Sequence, residues 1–232
     1  DDENIVPLLD IDHCSVKRFG LDDAKAVTHS LRGVDFIVDG FQFNLPMYGE
    51  LNVCNALGVI AVGRYCGLTN EQIQSGFKTF QGIKRRMEVC GEADGVTIVD
   101  DFAHHPTAIR ETLKAAKVRF PARRLWAVFE PRSNTTRRNI FQDELVGAFI
   151  DADQVILSEV ARLEKIPKSE RLNPEKLMNE LQRTGKKCSY LVGVGEIIDY
   201  IESHVESGDV VCILSNGGFD GLHERLLERL KA

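Results

Sequence analysis

No two of the six cysteines in this 232-residue chain, Cys14, Cys54, Cys66, Cys90, Cys188 and Cys212, form a Cys-x-x-Cys pair. The usual spacing of a zinc site is therefore missing. Most of them fall in apolar stretches, which suits small hydrophobic side chains in a reduced protein better than a disulfide framework. No apolar run approaches the ~20 residues of a membrane span, and no basic-then-apolar leader opens the chain. The formal net charge is −6, with no concentrated basic face. That balance argues against a nucleic-acid partner. No Gly-x-x-x-x-Gly-Lys-Ser/Thr loop occurs, so any use of ATP needs a phosphate cradle from outside these residues. Internal repeats and low-complexity segments are absent as well. The abrupt opening at Asp1-Asp2 leads us to expect a piece of a longer protein.

What is present suffices for one or two ordinary cores, with 43% hydrophobic residues. Early periodicity is weak; Val6 to Leu9 and Ser15 to Phe19 read as brief strands or a helical turn. Val34 to Val38, Asp39-Gly40 and Phe41 to Leu45 then read as a hairpin, because Asp-Gly takes both positive-φ positions of a type I′ turn. Thr28 to Arg32 offers a third strand. A helix is predicted from about Gly49 to Tyr65, and its nearly unbroken apolar character predicts burial on most sides. Gly67 stops it, and Thr69 with Gln72 forms a capping box for a helix to Phe80. Asn52 and Asn55, three residues apart, can share one helix face. Gln81 to Arg86 reads as a basic linker, which places a domain boundary between residues 84 and 85.

Beyond the linker, strands alternate with helices: strands at Met87 to Cys90, Val96 to Val99, Arg124 to Phe129, Gln154 to Ser158, Ser189 to Val192 and Val210 to Leu214. Helices are predicted at Thr107 to Val118, from Thr135 to Phe149, from Asn173 to Gly185, Glu196 to Val205 and Leu222 to Leu230. The pattern is α/β, a largely parallel, doubly wound sheet. Three loops should then share its carboxyl edge, where open α/β sheets bind ligands. They are Asp100-Asp101-Phe102-Ala103-His104-His105-Pro106-Thr107, Glu130-Pro131-Arg132-Ser133-Asn134-Thr135 and Ser215-Asn216-Gly217-Gly218-Phe219-Asp220-Gly221. Arginine at such a rim suits a carboxylate or phosphate, and bare glycine backbone lets N–H groups approach an anion. A capped polar turn explains the first loop equally well when it is read alone. His104 and His105 are neighbours, point in different directions, and make a poor chelating pair, so no metal site is expected. Val192-Gly193-Val194-Gly195 mimics a dinucleotide fingerprint but has Ile198 at the third glycine position.

Taken together, these motifs resemble the Mur ligases, ATP-dependent amide ligases of bacterial peptidoglycan synthesis. Gly49-Glu50-Leu51-Asn52-Val53-Cys54-Asn55-Ala56-Leu57-Gly58 is similar to a family segment in which histidine usually stands at the Leu51 position. Lys84-Arg85-Arg86-Met87 is similar to the family's inter-domain arginine linker, and Asp100 to Ile109 to its strand-end motif. Asp100 to Ile109 and the loops at Glu130 and Ser215 together resemble the recycling branch of the family. The resemblance implies that residues 1–84 are the C-terminal part of a central ATP-binding α/β domain. It makes residues 85–232 a complete Rossmann-like C-terminal domain. The UDP-binding domain, the phosphate loop and the magnesium ligands are expected upstream.

By the same resemblance, Asn52 and Asn55 face the adenine, Arg86 reaches the nucleotide phosphates, and Asp101 accepts from the ribose hydroxyls; on the residue pattern, Asp100 is read as finishing its strand. His104 and His105 lie near the reacting groups. Arg132, Ser133 and Asn134, with Asn216, Gly217 and Gly218, bind the incoming peptide. The implied reaction joins UDP-N-acetylmuramate to the tripeptide L-Ala-γ-D-Glu-meso-diaminopimelate through an acyl-phosphate, with ATP and Mg2+, in the bacterial cytoplasm. This fragment alone is expected to be inactive. The sister activity, which adds L-alanine, is the near rival; a non-catalytic nucleotide- or peptide-binding module is the distant one.

Overall fold

The computed structural model describes residues 6–9, 13–30, 32–161 and 163–231. They form two compact units, Asp1–Gly82 and Ile83–Ala232. Val6–Leu8 is a single 3-10 turn, and no strand forms over Ser15 to Phe19.

The first unit carries an antiparallel sheet of β1 (Lys25–Ser30), β2 (Gly33–Val38) and β3 (Phe41–Leu45), in that order. Leu31, within the strand expected over Thr28 to Arg32, lies outside the described residues. Asp39 and Gly40 take φ of 48° and 80°, so the hairpin turn has the two left-handed residues that Asp-Gly favours. Two helices follow, α1 (Glu50–Tyr65) and α2 (Asn70–Thr79), the latter opened by the Thr69–Gln72 capping box. Gln74 of α2 pairs with the backbone of β3: its Oε1 accepts from Asn44 N at 2.8 Å and its Nε2 donates to Asn44 O at 3.1 Å. Phe36, Phe43 and Phe77 form the aromatic centre of the core.

The expectation that α1 is buried on most sides is corrected here. Val53, Ala56, Leu57, Ile60 and Gly63 are buried, but Leu51, Val59, Val62 and Tyr65 are exposed, Tyr65 to 91%. A three-stranded sheet covers only one stripe of a helix that is apolar nearly all round.

The second unit is a six-stranded sheet in the order β4 (Glu88–Ala93), β5 (Val96–Asp101), β9 (Val210–Leu214), β6 (Leu125–Phe129), β7 (Gln154–Ser158), β8 (Lys187–Leu191). β4 is antiparallel to β5, and the remaining neighbours are parallel. Alternate strand residues face opposite ways. Val99, Ala127, Phe129, Val155, Leu157 and Cys212 meet α3 (Pro106–Arg119), α4 (Glu144–Ala148) and α5 (Pro174–Arg183). Ile98, Trp126, Val128, Ile156 and Val211 meet α6 (Gly193–His204) and α7 (Leu222–Leu230) on the other face.

At the amino end of this sheet, the buried Asp209 accepts from Arg124 Nη2 at 2.6 Å, Trp126 Nε1 at 2.9 Å and the Glu206 amide at 3.0 Å. Burial alone would raise its pKa, but the bonds from Arg124, Glu206 and Trp126 outweigh that and hold it below the usual carboxylate range.

One predicted helix is much shorter than expected. The stretch from Thr135 to Phe149 yields a 3-10 turn at Asn139–Phe141 and the five-residue α4. Arg137 and Arg138, expected inside that helix, lie in an irregular segment whose backbone bonds go sideways: Arg137 O accepts from Leu172 N at 3.0 Å, and Arg138 bridges Arg171. The partners an α-helix needs four residues on are thereby taken. At the false dinucleotide fingerprint, α6 starts at Gly193 beside the edge strand β8.

Candidate functional site

Parallel pairing of β5 and β6 with β9 brings the ends of all three to one edge, and their following loops interlock there. Ser215 N donates to Asp101 O at 3.1 Å, and Glu130 N donates to Leu214 O at 3.0 Å, so each loop begins pinned to its neighbour. Ser215 Oγ donates to the Glu130 carboxylate, and Gly217 N donates back to Ser215 Oγ at 2.9 Å. Arg132, half exposed, lies 3.6 Å from Glu130 and runs across Gly217. A Cβ at Gly217 would stand 2.5 Å from Arg132 Cδ, so glycine there is what lets the arginine lie flat on the loop. The Oδ1 atom of Asn216 is buried and accepts no hydrogen bond among the described residues. Buried acceptors are normally satisfied, so this one stands out as unpaired.

The first loop is organised by its carboxylates. Asp101 is buried; its Oδ2 accepts from Met87 N at 2.7 Å, and its Oδ1 accepts from Ala103 N at 2.8 Å and Thr112 Oγ1 at 3.3 Å. Burial pushes its pKa up, against the opposing pull of those donors and of Arg86. Both oxygens have donors inside the protein, so Asp101 holds the loop in place, and Oδ2 keeps capacity for a further donor. Asp100 does more than complete the strand: its Oδ2 pairs with Arg85 Nε at 3.0 Å. Arg86 is exposed, with its guanidinium 5.9 Å from the centre of the Phe102 ring.

His104 Nδ1 lies 2.9 Å from Phe102 O. A carbonyl only accepts, so the neutral ring carries its proton on Nδ1 and leaves Nε2 as an acceptor. The exposed His105 caps α3 by accepting from Thr107 N at 3.3 Å, and its ring stands edge-on to Phe141 at 4.5 Å. The two imidazoles thus have separate surroundings. Among the described residues, no three His, Cys, Asp or Glu side chains come together as metal ligands.

Ser133, expected to meet the peptide, spends its hydroxyl on its own turn, 2.7 Å from Thr136 Oγ1 and accepting from Thr136 N at 3.1 Å. Asn134 and Gly218 are exposed at the rim. In the first unit, Asn52 donates to Tyr48 O at 2.8 Å and accepts from Asn55 at 3.4 Å. The asparagine pair therefore does share one face, with Asn55 and Leu51 exposed beside it.

Arg85 and Glu130 are side chains that tie this rim together and that motif reading passed over. The clue to Arg85 was Asp100, a second carboxylate at a strand end that needs a cation once buried. Cys90 lies in a cleft of about 340 Å³ with Lys84, Arg85 and His223. Burial, with Asp100 and Glu88 nearby, pushes its thiol up to about 11.

A doubly wound α/β domain with a polar, arginine-bearing rim at the carboxyl edge of its sheet is a ligand-binding class of fold. Residues 85–217 match the family described as Mur ligase, glutamate ligase domain, and the chain belongs to that family. A UDP-N-acetylmuramate–L-alanine ligase of Geotalea daltonii is 39% identical over 190 residues, which is 82% of this chain and 40% of that protein. The UDP-N-acetylmuramate–L-alanyl-gamma-D-glutamyl-meso-2,6-diaminoheptandioate ligase of Escherichia coli K12 is 33% identical over 89% of this chain and 44% of its own length. A crystal structure of a murein peptide ligase from Psychrobacter arcticus 273-4 matches with 34% identity and a TM-score of 0.65, over 90% of this chain and 44% of that one. The chain spans less than half the length of these relatives.

Proposed function

We propose that this chain is the C-terminal part of an ATP-dependent ligase that joins UDP-N-acetylmuramate to the tripeptide L-Ala-γ-D-Glu-meso-diaminopimelate in peptidoglycan recycling. The observation that carries this reading is the laying of Arg132 against Gly217, which makes the arginine and glycine loops one surface. A half-exposed guanidinium laid along the glycine loop offers an extended surface that suits a peptide with several carboxylates better than a single small amino acid. In this proposal Arg132, Asn134, Asn216, Gly217 and Gly218 meet the peptide, while Ser133 and Asp101 hold the loops that present them. Residues 1–84 belong to the central ATP-binding domain, where Asn52 and Asn55 face the adenine, and residues 85–232 form the acceptor domain.

ATP, when bound with Mg2+, supplies the phosphoryl group that activates the lactoyl carboxylate as an acyl-phosphate. Arg86, exposed on Phe102, supplies positive charge toward the phosphates, and His104 Nε2 is an acceptor for a proton of the attacking amine. Magnesium ligands and the phosphate loop come from outside this chain, so the chain alone is inactive.

The L-alanine ligases among the relatives support a second reading, addition of free L-alanine. The test is ligation by the complete gene product with UDP-N-acetylmuramate, ATP and magnesium, comparing tripeptide with L-alanine. A higher kcat/KM for tripeptide supports the first reading, and a higher one for L-alanine replaces it with the second. No product with either removes both.

A further inference from the structure

Arg85 stands beside the arginine that family resemblance singles out, yet it is Arg85 that the second unit grips. Its Nε donates to Asp100 at 3.0 Å, and its Nη2 donates to Ser215 O at 2.6 Å and Gly217 O at 2.7 Å. Its backbone is held as firmly: Arg85 N donates to Glu88 Oε2 at 2.7 Å, and Arg85 O accepts from Phe102 N at 2.8 Å. Arg85 and Met87 sit in the left-handed region, with φ of 58° and 51°. Non-glycine residues keep that conformation only where their surroundings over-determine it. Here Met87 is tied through its N–H to Asp101 and through its carbonyl to Arg119.

The two carbonyls held by Arg85 belong to the peptide groups 215–216 and 217–218. Both are trans. In a trans peptide the N–H points opposite to the carbonyl, so the amides of Asn216 and Gly218 are turned away from Arg85. Neither donates a hydrogen bond among the described residues. These two backbone donors without partners, with Arg132 lying on the same loop, are available to a carboxylate group of a ligand.

We propose that Arg85 is a positioning residue: by holding the Ser215 and Gly217 carbonyls it presents the Asn216 and Gly218 N–H groups to a carboxylate of the acceptor substrate. This rests on the reading that the glycine loop meets the acceptor. It adds that Arg85, which touches no substrate, sets the loop's affinity.

The experiment uses the complete enzyme with Arg85→Lys and Arg85→Met. Acceptor KM is expected to rise about tenfold, the loss of roughly one charge-assisted hydrogen bond. KM for ATP and for UDP-N-acetylmuramate should stay within about twofold, with the lysine variant milder than the methionine one. The same split is read on L-alanine if that proves to be the acceptor. An unchanged acceptor KM, or an equal rise in all three, overturns the proposal. Arg85→Lys keeps the stem and the charge beside Asp100, and serves if Arg85→Met does not fold. A wild-type enzyme that ligates nothing would instead remove the functional reading. The amide resonances of Asn216 and Gly218 then decide the local claim, since they must shift between wild type and Arg85→Lys, and their coincidence overturns it.

Discussion

Gly217→Ala separates binding from stability. The φ of Gly217 is not positive, so alanine meets no backbone penalty there. The added Cβ would lie 2.5 Å from Arg132 Cδ and 2.6 Å from its Nε and Nη1, far inside ordinary contact distance. Something must move by about 1 Å, and the flexible, half-exposed Arg132 side chain gives way before the backbone does. Its pairing with Glu130 is a partly exposed ion pair, so losing it costs about 0–1 kcal/mol of stability. Removing a guanidinium from a carboxylate partner should weaken acceptor binding by about 1.5–3 kcal/mol, roughly ten- to a hundredfold. Thermal unfolding and calorimetric titration of the complete enzyme with the acceptor measure the two separately. A variant that melts normally and binds the acceptor as tightly as wild type would refute the placement of Arg132 in the site. A variant destabilised by several kcal/mol would refute the geometry of the loop.

Two further substitutions test the carboxylates. Asp209→Ala leaves Arg124, Trp126 Nε1 and the Glu206 amide without their acceptor, and should cost about 2–4 kcal/mol in denaturant unfolding, with Arg124's partial exposure keeping it below the fully buried range. Because its folded pKa is depressed, the Asp209 contribution is complete above the unfolded value near pH ~4 and is lost as pH falls through the lower folded value; Asp209→Ala should therefore flatten the acid limb of stability against pH, and an unaltered limb would be evidence against this pin. Asp101→Asn turns an amide NH2 toward backbone donors and should destabilise by about 1–3 kcal/mol despite removing a buried charge, and a neutral or stabilising result would show that those N–H groups find other acceptors.

Local chemistry made much of the fold legible. Asp39-Gly40, the Thr69–Gln72 box and the apolar strand Val210 to Leu214 each act on near neighbours, and each formed where expected. The parallel rule then brings three loops to one rim. What failed depended on distant partners. The exposed side of α1 follows from how little sheet lies against it, which its own sequence does not encode. The segment after Asn134 carries helix-forming residues, yet its backbone bonds to residues about thirty positions away. Arg85 was hidden for the same reason, because its carbonyl partners lie 130 and 132 residues on. That Asp101 also anchors Met87 and Ala103 was hidden as well, because the Met87 amide lies fourteen residues away.

The central claim is that the rim formed by the loops after β5, β6 and β9 receives the acceptor peptide. Amide chemical-shift mapping of the complete enzyme tests it directly, by titration with L-Ala-γ-D-Glu-meso-diaminopimelate in the presence of UDP-N-acetylmuramate and a non-hydrolysable ATP analogue. The account predicts shifts concentrated at Arg132 to Asn134 and Asn216 to Gly218, and smaller ones with free L-alanine. Saturable binding that leaves those amides unmoved while shifting others would contradict it.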